Sequence, residues 1–385
     1  MKVVIAIDSF KGSLSSITAG QIAASSVKRL LPNSIVEVFP LADGGEGTVD
    51  ALTEGLNGEI VNVEVTGPLG SKIMSRYGKV KQTAIIEMAD TAGLPLVPKN
   101  ERNPLNTTTY GLGELIIKAA ENGCRDFIIG IGGSSTNDCG IGMLAALGFE
   151  FRDSQGNAVG IFGRDLENIS EINTSKINPI VKDCKFKIAC DVTNPLTGEN
   201  GCSFVYGPQK GATPEIINKM DGWIKNFADL ATKALNVDSK SIAGDGAAGG
   251  LGFAFRTFLN GELIKGINLV LDLIGIAEEF TNADLLITGE GRLDGQSLMG
   301  KAPIGVSQLA KSLNDKIITV AVCGCATSEA VKVHKNGIDA YFPILQAPMP
   351  TEEAMNETIA KNNLSITVEE ILRLIMRCQN VSFNN

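Results

Sequence analysis

The sequence predicts an α/β protein of two domains: a Rossmann-like domain with a parallel, doubly wound sheet built from both chain ends, and a second α/β domain inserted into it. Three observations point there. Short β-branched apolar runs alternate with helical periodicity near both ends of the chain, and polar glycine-rich loops follow the runs. The length of 385 residues also exceeds the roughly 250–300 at which single cores stop growing.

The elements follow in order. Residues 3–7 read as a strand, Asp8-Ser9-Phe10-Lys11-Gly12-Ser13 as a polar loop, and residues 16–31 as a helix. A second unit repeats this pattern: strand 34–39, loop 42–47, helix 48–56. Residues 60–65 and 84–88 alternate in β fashion around the turn Gly67-Pro68-Leu69-Gly70, and 145–215 holds several short strands with turns at Asn157, Asn194-Pro195 and Gly207-Pro208. The pattern of the first segment returns near the C-terminus, with strand 283–287, loop 288–297 and helix 304–313. Strand 316–322 and a helix through Val333 follow, then strand 339–344 and an amphipathic helix over 367–377. The first domain is therefore expected to comprise residues 1–66 and 282–385, and the inserted one 67–281, with the site in the cleft between them.

Composition narrows the function. A net charge of −9, with no basic run longer than two, argues against a nucleic-acid partner, so an anionic substrate would need a local positive focus. No window approaches the roughly 18 apolar residues of a membrane span, and Met1-Lys2 leads into only five apolar residues, too few for a signal-peptide core. The eight cysteines form no CxxC pair and read as reduced thiols, so a cytoplasmic location is expected. A single histidine, His334 at a helix end, removes His-rich metal sites and most Ser/His/Asp schemes. Acid and base chemistry must come from Asp, Glu, Lys or Tyr.

Six polar, glycine-rich stretches then stand out, most of them just after a strand, where open α/β sheets bind ligands. The run Gly295-Gln296-Ser297-Leu298-Met299-Gly300-Lys301-Ala302 nearly matches a P-loop but ends in Ala302, without the Mg²⁺-ligating hydroxyl. Gly244-Asp245-Gly246-Ala247-Ala248-Gly249 fits GxGxxG, yet no strand precedes it. Gly132, Gly133, Ser134, Ser135, Thr136 and Asn137 offer backbone N–H groups and hydroxyls able to hold phosphate without a Walker lysine, or else form a tight turn capped by Asn137 or Asp138. Asp8, Ser9 and Lys11 combine a carboxylate, a hydroxyl and a cation. Asp43 and Glu46, spaced by Gly44 and Gly45, join Glu290 and Asp294 as oxygen ligands suited to Mg²⁺. Gly289 precedes Glu290, Arg292 supplies a planar donor, and Asp191 is an isolated acid after a strand. Phosphoryl transfer fits this inventory, since it needs phosphate positioning, Mg²⁺, cations and one carboxylate to orient a hydroxyl.

These stretches also carry a resemblance. Asp8-Ser9-Phe10-Lys11-Gly12-Ser13, Ala42-Asp43-Gly44-Gly45-Glu46-Gly47-Thr48, Gly132-Gly133-Ser134-Ser135-Thr136-Asn137-Asp138, Cys190-Asp191-Val192-Thr193-Asn194-Pro195, Gly207-Pro208-Gln209-Lys210-Gly211-Ala212 and Thr288-Gly289-Glu290-Gly291-Arg292-Leu293-Asp294 resemble the bacterial glycerate kinases of the type-1 family. Departures are small: Cys139 replaces an expected glycine, Asp245 stands in a usually neutral position, and Cys323-Gly324-Cys325-Ala326 is off pattern. The resemblance implies D-glycerate and ATP as substrates, Mg²⁺ as cofactor and 2-phosphoglycerate as product. On that reading Lys11 or Arg292 pairs the glycerate carboxylate or the migrating phosphoryl group, and Asp191 is the base. Asp43, Glu46, Glu290 and Asp294 hold the metal; Asp8, Ser9, Gly44, Gly45, Gly289 and residues 132–137 bind substrate or phosphate. Rival readings of the same residues are an NAD(P)-dependent hydroxy-acid dehydrogenase and a non-catalytic hydroxy-acid-binding protein. Oligomeric state is not readable.

Overall fold

A computed structural model describes residues 1–237, 242–295, 297 and 301–379. Among the described residues thirteen strands occur: β1 (Lys2–Ile7), β2 (Ile35–Pro40), β3 (Glu59–Thr66), β4 (Lys72–Val80), β5 (Thr83–Glu87), β6 (Asp126–Gly130) and β7 (Glu150–Arg152). After them come β8 (Glu171–Asn173), β9 (Lys185–Ala189), β10 (Glu262–Ile264), β11 (Leu285–Leu293), β12 (Ile318–Ala326) and β13 (Ala340–Pro343). Packing divides the chain into two compact units. The first comprises Met1–Asp43, Glu54–Leu56 and the chain from Ile267 onward; the second comprises Gly44–Thr53 and Asn57–Gly266.

The first unit is built on a five-stranded sheet of order β13-β12-β11-β1-β2, every pair parallel. The interior strand β1, between β11 and β2, reads KVVIAI because both faces are covered, and Val3 to Ile7 are fully buried. The pleat divides those residues between two layers. Val3, Ile5 and Ile7 pack with Val320 and Val322 against Ala19, Ala23 and Val27 of helix Ser16–Leu30 and Leu364 and Val368 of helix Glu357–Gln379. On the other side Ala321 and Cys323 meet Ile304 of helix Ala302–Leu313, together with Ala330 and Val333. Ser15 caps its helix, its Oγ accepting from Thr18 N at 3.1 Å.

Near the C-terminus the pattern departs from expectation. The segment 288–297, read as a loop, continues β11 as far as Leu293, with Glu290 paired to Cys323 and Arg292 to Cys325. The off-pattern Cys323-Gly324-Cys325-Ala326 is the matching end of β12. Gly-Glu-Gly-Arg has poor strand propensity, and cross-strand pairing overrides it. The segment Ser328–Asn336 is 3₁₀ rather than α-helical, and the closing helix begins ten residues earlier than expected, at Glu357.

The second unit carries a six-stranded sheet of order β10-β9-β6-β5-β4-β3. Strands β5, β6, β9 and β10 are parallel, and β4 and β3 complete the edge antiparallel. Thus β3, expected in the first domain, pairs with β4 in this sheet, and residues 267–281 fall with the first unit. The core gathers Phe127, Ile129, Phe186 and Ile188 of the sheet with Leu112, Leu115 and Ile116 of helix Tyr110–Glu121. Phe151 and Phe227 extend it over the small hairpin β7–β8, their rings 5.6 Å apart.

Candidate active site

In the first unit, β11, β1 and β2 are neighbours, so the segments leaving their C-terminal ends converge. Asp8, Ser9 and Lys11 follow β1, Asp43 follows β2, and Glu290, Arg292 and Asp294 lie on and just beyond the end of β11. All seven line one cavity of about 530 Å³, joined by Lys301. Asp8 is tied to β11, its N–H donating to the Gly289 carbonyl at 2.9 Å, and its Oδ1 accepts from Ser9 N at 2.6 Å. The opposite wall is apolar, formed by Ile344, Leu345, Met349 and Met355.

The cavity concentrates negative charge. Burial, reinforced by the neighbouring Asp43 carboxylate, pushes Asp8 up to about 7. Burial likewise pushes Glu290 up to about 7 against a hydrogen bond from Ser297. Glu290 Oε1 is buried with no hydrogen-bond partner, the mark of an acceptor set for a cation. No three His, Cys, Asp or Glu side chains among the described residues close into a metal cage. Mg²⁺ is usually held by one or two carboxylates plus substrate phosphates and water, and the carboxylates on this cavity are Asp8, Asp43, Glu290 and Asp294. Arg292 is largely exposed and pairs with Asp294 at 3.2 Å.

In the second unit the stretch after β6 turns inward. Only Gly132 and Gly133 are exposed; Ser134, Ser135, Thr136 and Asn137 are buried. Ser135 Oγ donates to Ala92 O at 2.8 Å, and Asn137 Nδ2 to Ser203 Oγ at 2.9 Å. Asp138, fully buried, accepts from Thr109 N (2.9 Å), Thr109 Oγ1 (2.7 Å), Gly140 N (3.2 Å) and Gly142 N (3.3 Å), and so anchors the turn. Beneath it lies Lys210, 2% exposed, whose Nζ donates to Ser134 Oγ at 2.8 Å and to the Thr136 carbonyl at 2.6 Å. Desolvation lowers this ammonium from 10.5 to about 8.

Gly132 and Gly133 border a separate hollow of about 630 Å³, with Gly45, Glu46, Arg76, Glu87 and Asp90 also on its wall. Glu87 accepts from Val49 N at 2.9 Å, and burial pushes it up to about 7. Arg76 grips Asp50 through two nitrogens at 2.6 and 2.8 Å and reaches Asp90 at 3.3 Å. Glu46, expected beside Asp43, is exposed on this hollow.

Several expected residues lie elsewhere. Asp191 lines neither cavity; it is exposed, and its Oδ1 accepts from Gly266 N at 2.9 Å. Gly44 is buried at φ +85°, where a Cβ would meet Ala189 Cβ at 2.7 Å and Gly266 Cα at 3.0 Å. Gly289 is interior to β11, where a Cβ would meet the Val322 carbonyl at 2.1 Å, so both glycines serve close packing. Asp245 forms a bidentate pair with Arg256 at 2.8 Å that holds the GDGAAG turn. In the near-Walker run, residues 296 and 298–300 lie outside the described residues.

Sequence reasoning quoted Lys210 and Lys301 within motifs but gave no site role to either, nor to Arg76, Glu87, Asp90 or the apolar wall. Glu87 left a signal, an acid closing the apolar run Ala84-Ile85-Ile86. Lys210, between turn residues, left none that indicated burial.

A family model described as the Glycerate kinase family matches residues 3–376. The chain is 43% identical over 377 residues to the glycerate kinase of Haemophilus influenzae, covering 97% of this chain and 99% of that one. It is 44% identical over 375 residues to the glycerate 2-kinase of Escherichia coli, covering 96% and 98%. It superposes at a TM-score of 0.91 and 42% identity on a crystal structure from Salmonella typhimurium LT2 provisionally designated glycerate kinase 2, covering 99% of this chain and all of that one. With matching motifs, matching fold and near-complete coverage, the chain belongs to the glycerate kinase family.

Proposed function

We propose that this protein transfers the γ-phosphoryl group of ATP to the 2-hydroxyl of D-glycerate, giving 2-phosphoglycerate. The observation that carries the reading is the group of carboxylates and lysines at the C-terminal ends of three adjacent parallel strands, in a chain of this family. At about 530 Å³ the cavity is several times larger than glycerate, and its acidic, lysine-bearing side and apolar wall suit the phosphates and the base of a nucleotide.

Asp43 and Glu290, with Asp294 nearby, would hold Mg²⁺, which when bound neutralises phosphate charge and orients the triphosphate. Lys11 and Lys301 lie within electrostatic reach of Asp8, where they balance the acids and can pair with phosphate oxygens. Arg292 supplies an exposed fork for a phosphoryl or carboxylate group. In the second unit, Arg76 and the Gly132–Gly133 turn offer donors, and Glu87, Asp90 and Glu46 offer acceptors, a set matched to a small hydroxy acid.

Two carboxylates are candidates for the group that takes the hydroxyl proton. Asp191 follows a strand end but holds the Gly266 amide; Asp8 sits in the cavity with a pKa near 7, where a general base works best. Asp191→Asn and Asp8→Asn, each checked for substrate binding, assign the role to whichever loses kcat. Among the described residues no helix is long and apolar enough to cross a membrane, and we place the reaction in the cytoplasm. Incubation with D-glycerate, ATP and Mg²⁺ should release ADP, and added enolase should consume the product. No ADP with glycerate or related hydroxy acids would overturn the kinase reading.

A further inference from the structure

The turn after β6 was expected to hold an anion but contains no cation of its own, and the cationic candidates named from the sequence, Lys11 and Arg292, both belong to the first unit. Four observations in the second unit bear on this. Gly133 O accepts from Leu94 N at 2.8 Å, yet the N–H groups of Gly132 and Gly133 find no acceptor among the described residues. Both glycines are exposed, and at Gly132 a Cβ would meet nothing within 4 Å, so no local packing explains the missing side chain there. Next to them, Ser134 and Thr136 are held from below by Lys210, an ammonium buried with no ion-pair partner among the described residues. In the same turn Thr136 Oγ1 and Asn137 Oδ1 are buried without partners.

A buried cation bonded only to a hydroxyl and a carbonyl is expensive to keep. Aliphatic residues would fill the same volume without that desolvation. Unpaired amides on an exposed turn, with a buried cation behind them that feels the Asp138 carboxylate but makes no ion pair among the described residues, are the two halves of a seat for an oxyanion, in which the backbone supplies the geometry and the side chain supplies the charge.

We propose that Gly132 and Gly133 seat an oxyanion of a substrate through their amides, and that Lys210 is the positioning residue that fixes this turn and makes it electropositive from beneath. The proposal deepens the kinase reading and rests on it for the identity of the ligands. The oxyanion is a carboxylate or a phosphate; D-glycerate and ATP supply one each, and separate titrations tell them apart.

The test is calorimetric titration of the wild type, Lys210→Met and Gly132→Ala with D-glycerate alone and with ATP-Mg²⁺ alone, alongside thermal melts. Both variants are expected to melt within a few degrees of the wild type and to bind one of the two ligands roughly ten- to a hundredfold more weakly, Lys210→Met because the positive field beneath the amides is gone and Gly132→Ala because its methyl, which meets nothing in the protein, stands where the oxyanion would approach. The ligand whose affinity falls identifies the oxyanion. Because the ammonium loses its proton near pH 8, wild-type affinity for that ligand should fall between pH 7 and 9 while Lys210→Met stays flat. The titratable groups facing Lys210 are Cys202, whose thiol is pushed up to about 11 and stays neutral across that range, and the buried Asp138. Unchanged affinity for both ligands in a folded Lys210→Met overturns the proposal. Should that variant fail to fold, Gly132→Ala decides: weakened binding sustains the seat, and unchanged binding removes it. Binding without ADP release would strike the kinase reading and leave the seat standing.

Discussion

The stretches proposed to meet substrate desolvate different groups in the two units, carboxylates in the first and a lysine in the second. In the first, carboxylates crowd the ends of a fully parallel sheet, and burial drives Asp8 and Glu290 up to about 7. In the second, a single ammonium lies under a turn at the end of β6, and burial drives Lys210 down to about 8. Desolvation penalises whichever charge is present, so neither site is at its electrostatic optimum as the chain folds alone. The acidic cavity leaves Glu290 Oε1 without a donor, and the turn leaves the Gly132 and Gly133 amides without an acceptor among the described residues. A magnesium nucleotide and a hydroxy acid between them supply both.

The variant with the largest expected effect tests the acidic half. Asp8→Asn should lower kcat by about 10²–10³-fold, as loss of one preorganised electrostatic partner does. It should also raise the melting temperature at pH 8. The folded pKa of Asp8 lies above its unfolded value of 3.8, so ionisation penalises the folded state increasingly from about pH 4 and fully above about 7. Wild-type stability should therefore decline across that window more steeply than the variant's, in which Glu290 and Glu87 still penalise the folded state. Melts at pH 5 and 8 with and without Mg²⁺ read this directly, and equal slopes for both proteins would show that Asp8 is not desolvated as described.

Asp138→Ala comes next. It strands the amides of Thr109, Gly140 and Gly142 and should cost about 3 kcal/mol in denaturant unfolding. A loss below about 1 kcal/mol would mean that Lys210, not Asp138, anchors the turn. Gly44→Ala should cost about 2 kcal/mol, because φ is +85° and the new methyl meets Ala189 and Gly266. The smallest change belongs to Asp50→Asn. Its pair with Arg76 is half exposed, and its loss should cost less than about 1 kcal/mol. A larger effect would show that Arg76 must be held in place for the hollow it borders.

Much of the first unit was legible because parallel strands announce themselves. The run of residues 3–7 is apolar throughout since both faces are covered, and the polar residues after each strand mark the sheet edge where ligands bind. Asp8, Lys11, Asp43, Glu290, Arg292 and Asp294 were therefore readable as one group before their geometry was known. What failed was whatever depends on partners distant in sequence. The alternation of β3 reveals a strand but not the sheet it joins, which only its register with β4 decides. The hydroxyls of Ser134, Ser135 and Thr136 were visible as donors, but their inward direction comes from Ala92 and Lys210, more than 40 residues away on either side. Lys210 sits between glycine and proline in a turn that reads as solvent-exposed, and its burial is a tertiary fact.

The extension of β11 past Gly289 has one more consequence. Glu290 and Arg292, two residues apart on a paired strand, stand on the same side of the pleat, separated by about 6.6 Å along the strand. That separation works as a ruler set by backbone geometry, where a loop would let it drift. A single inserted or deleted residue between Gly289 and Leu293 would turn one of the two side chains to the opposite face, so this stretch should resist length change over evolutionary time. The turn from Ser9 to Ser13, past the last bond from Asp8 to β11, joins no strand ladder and carries no such restriction. Length variation among relatives should therefore avoid the first stretch and be tolerated in the second, even though both line the same cavity.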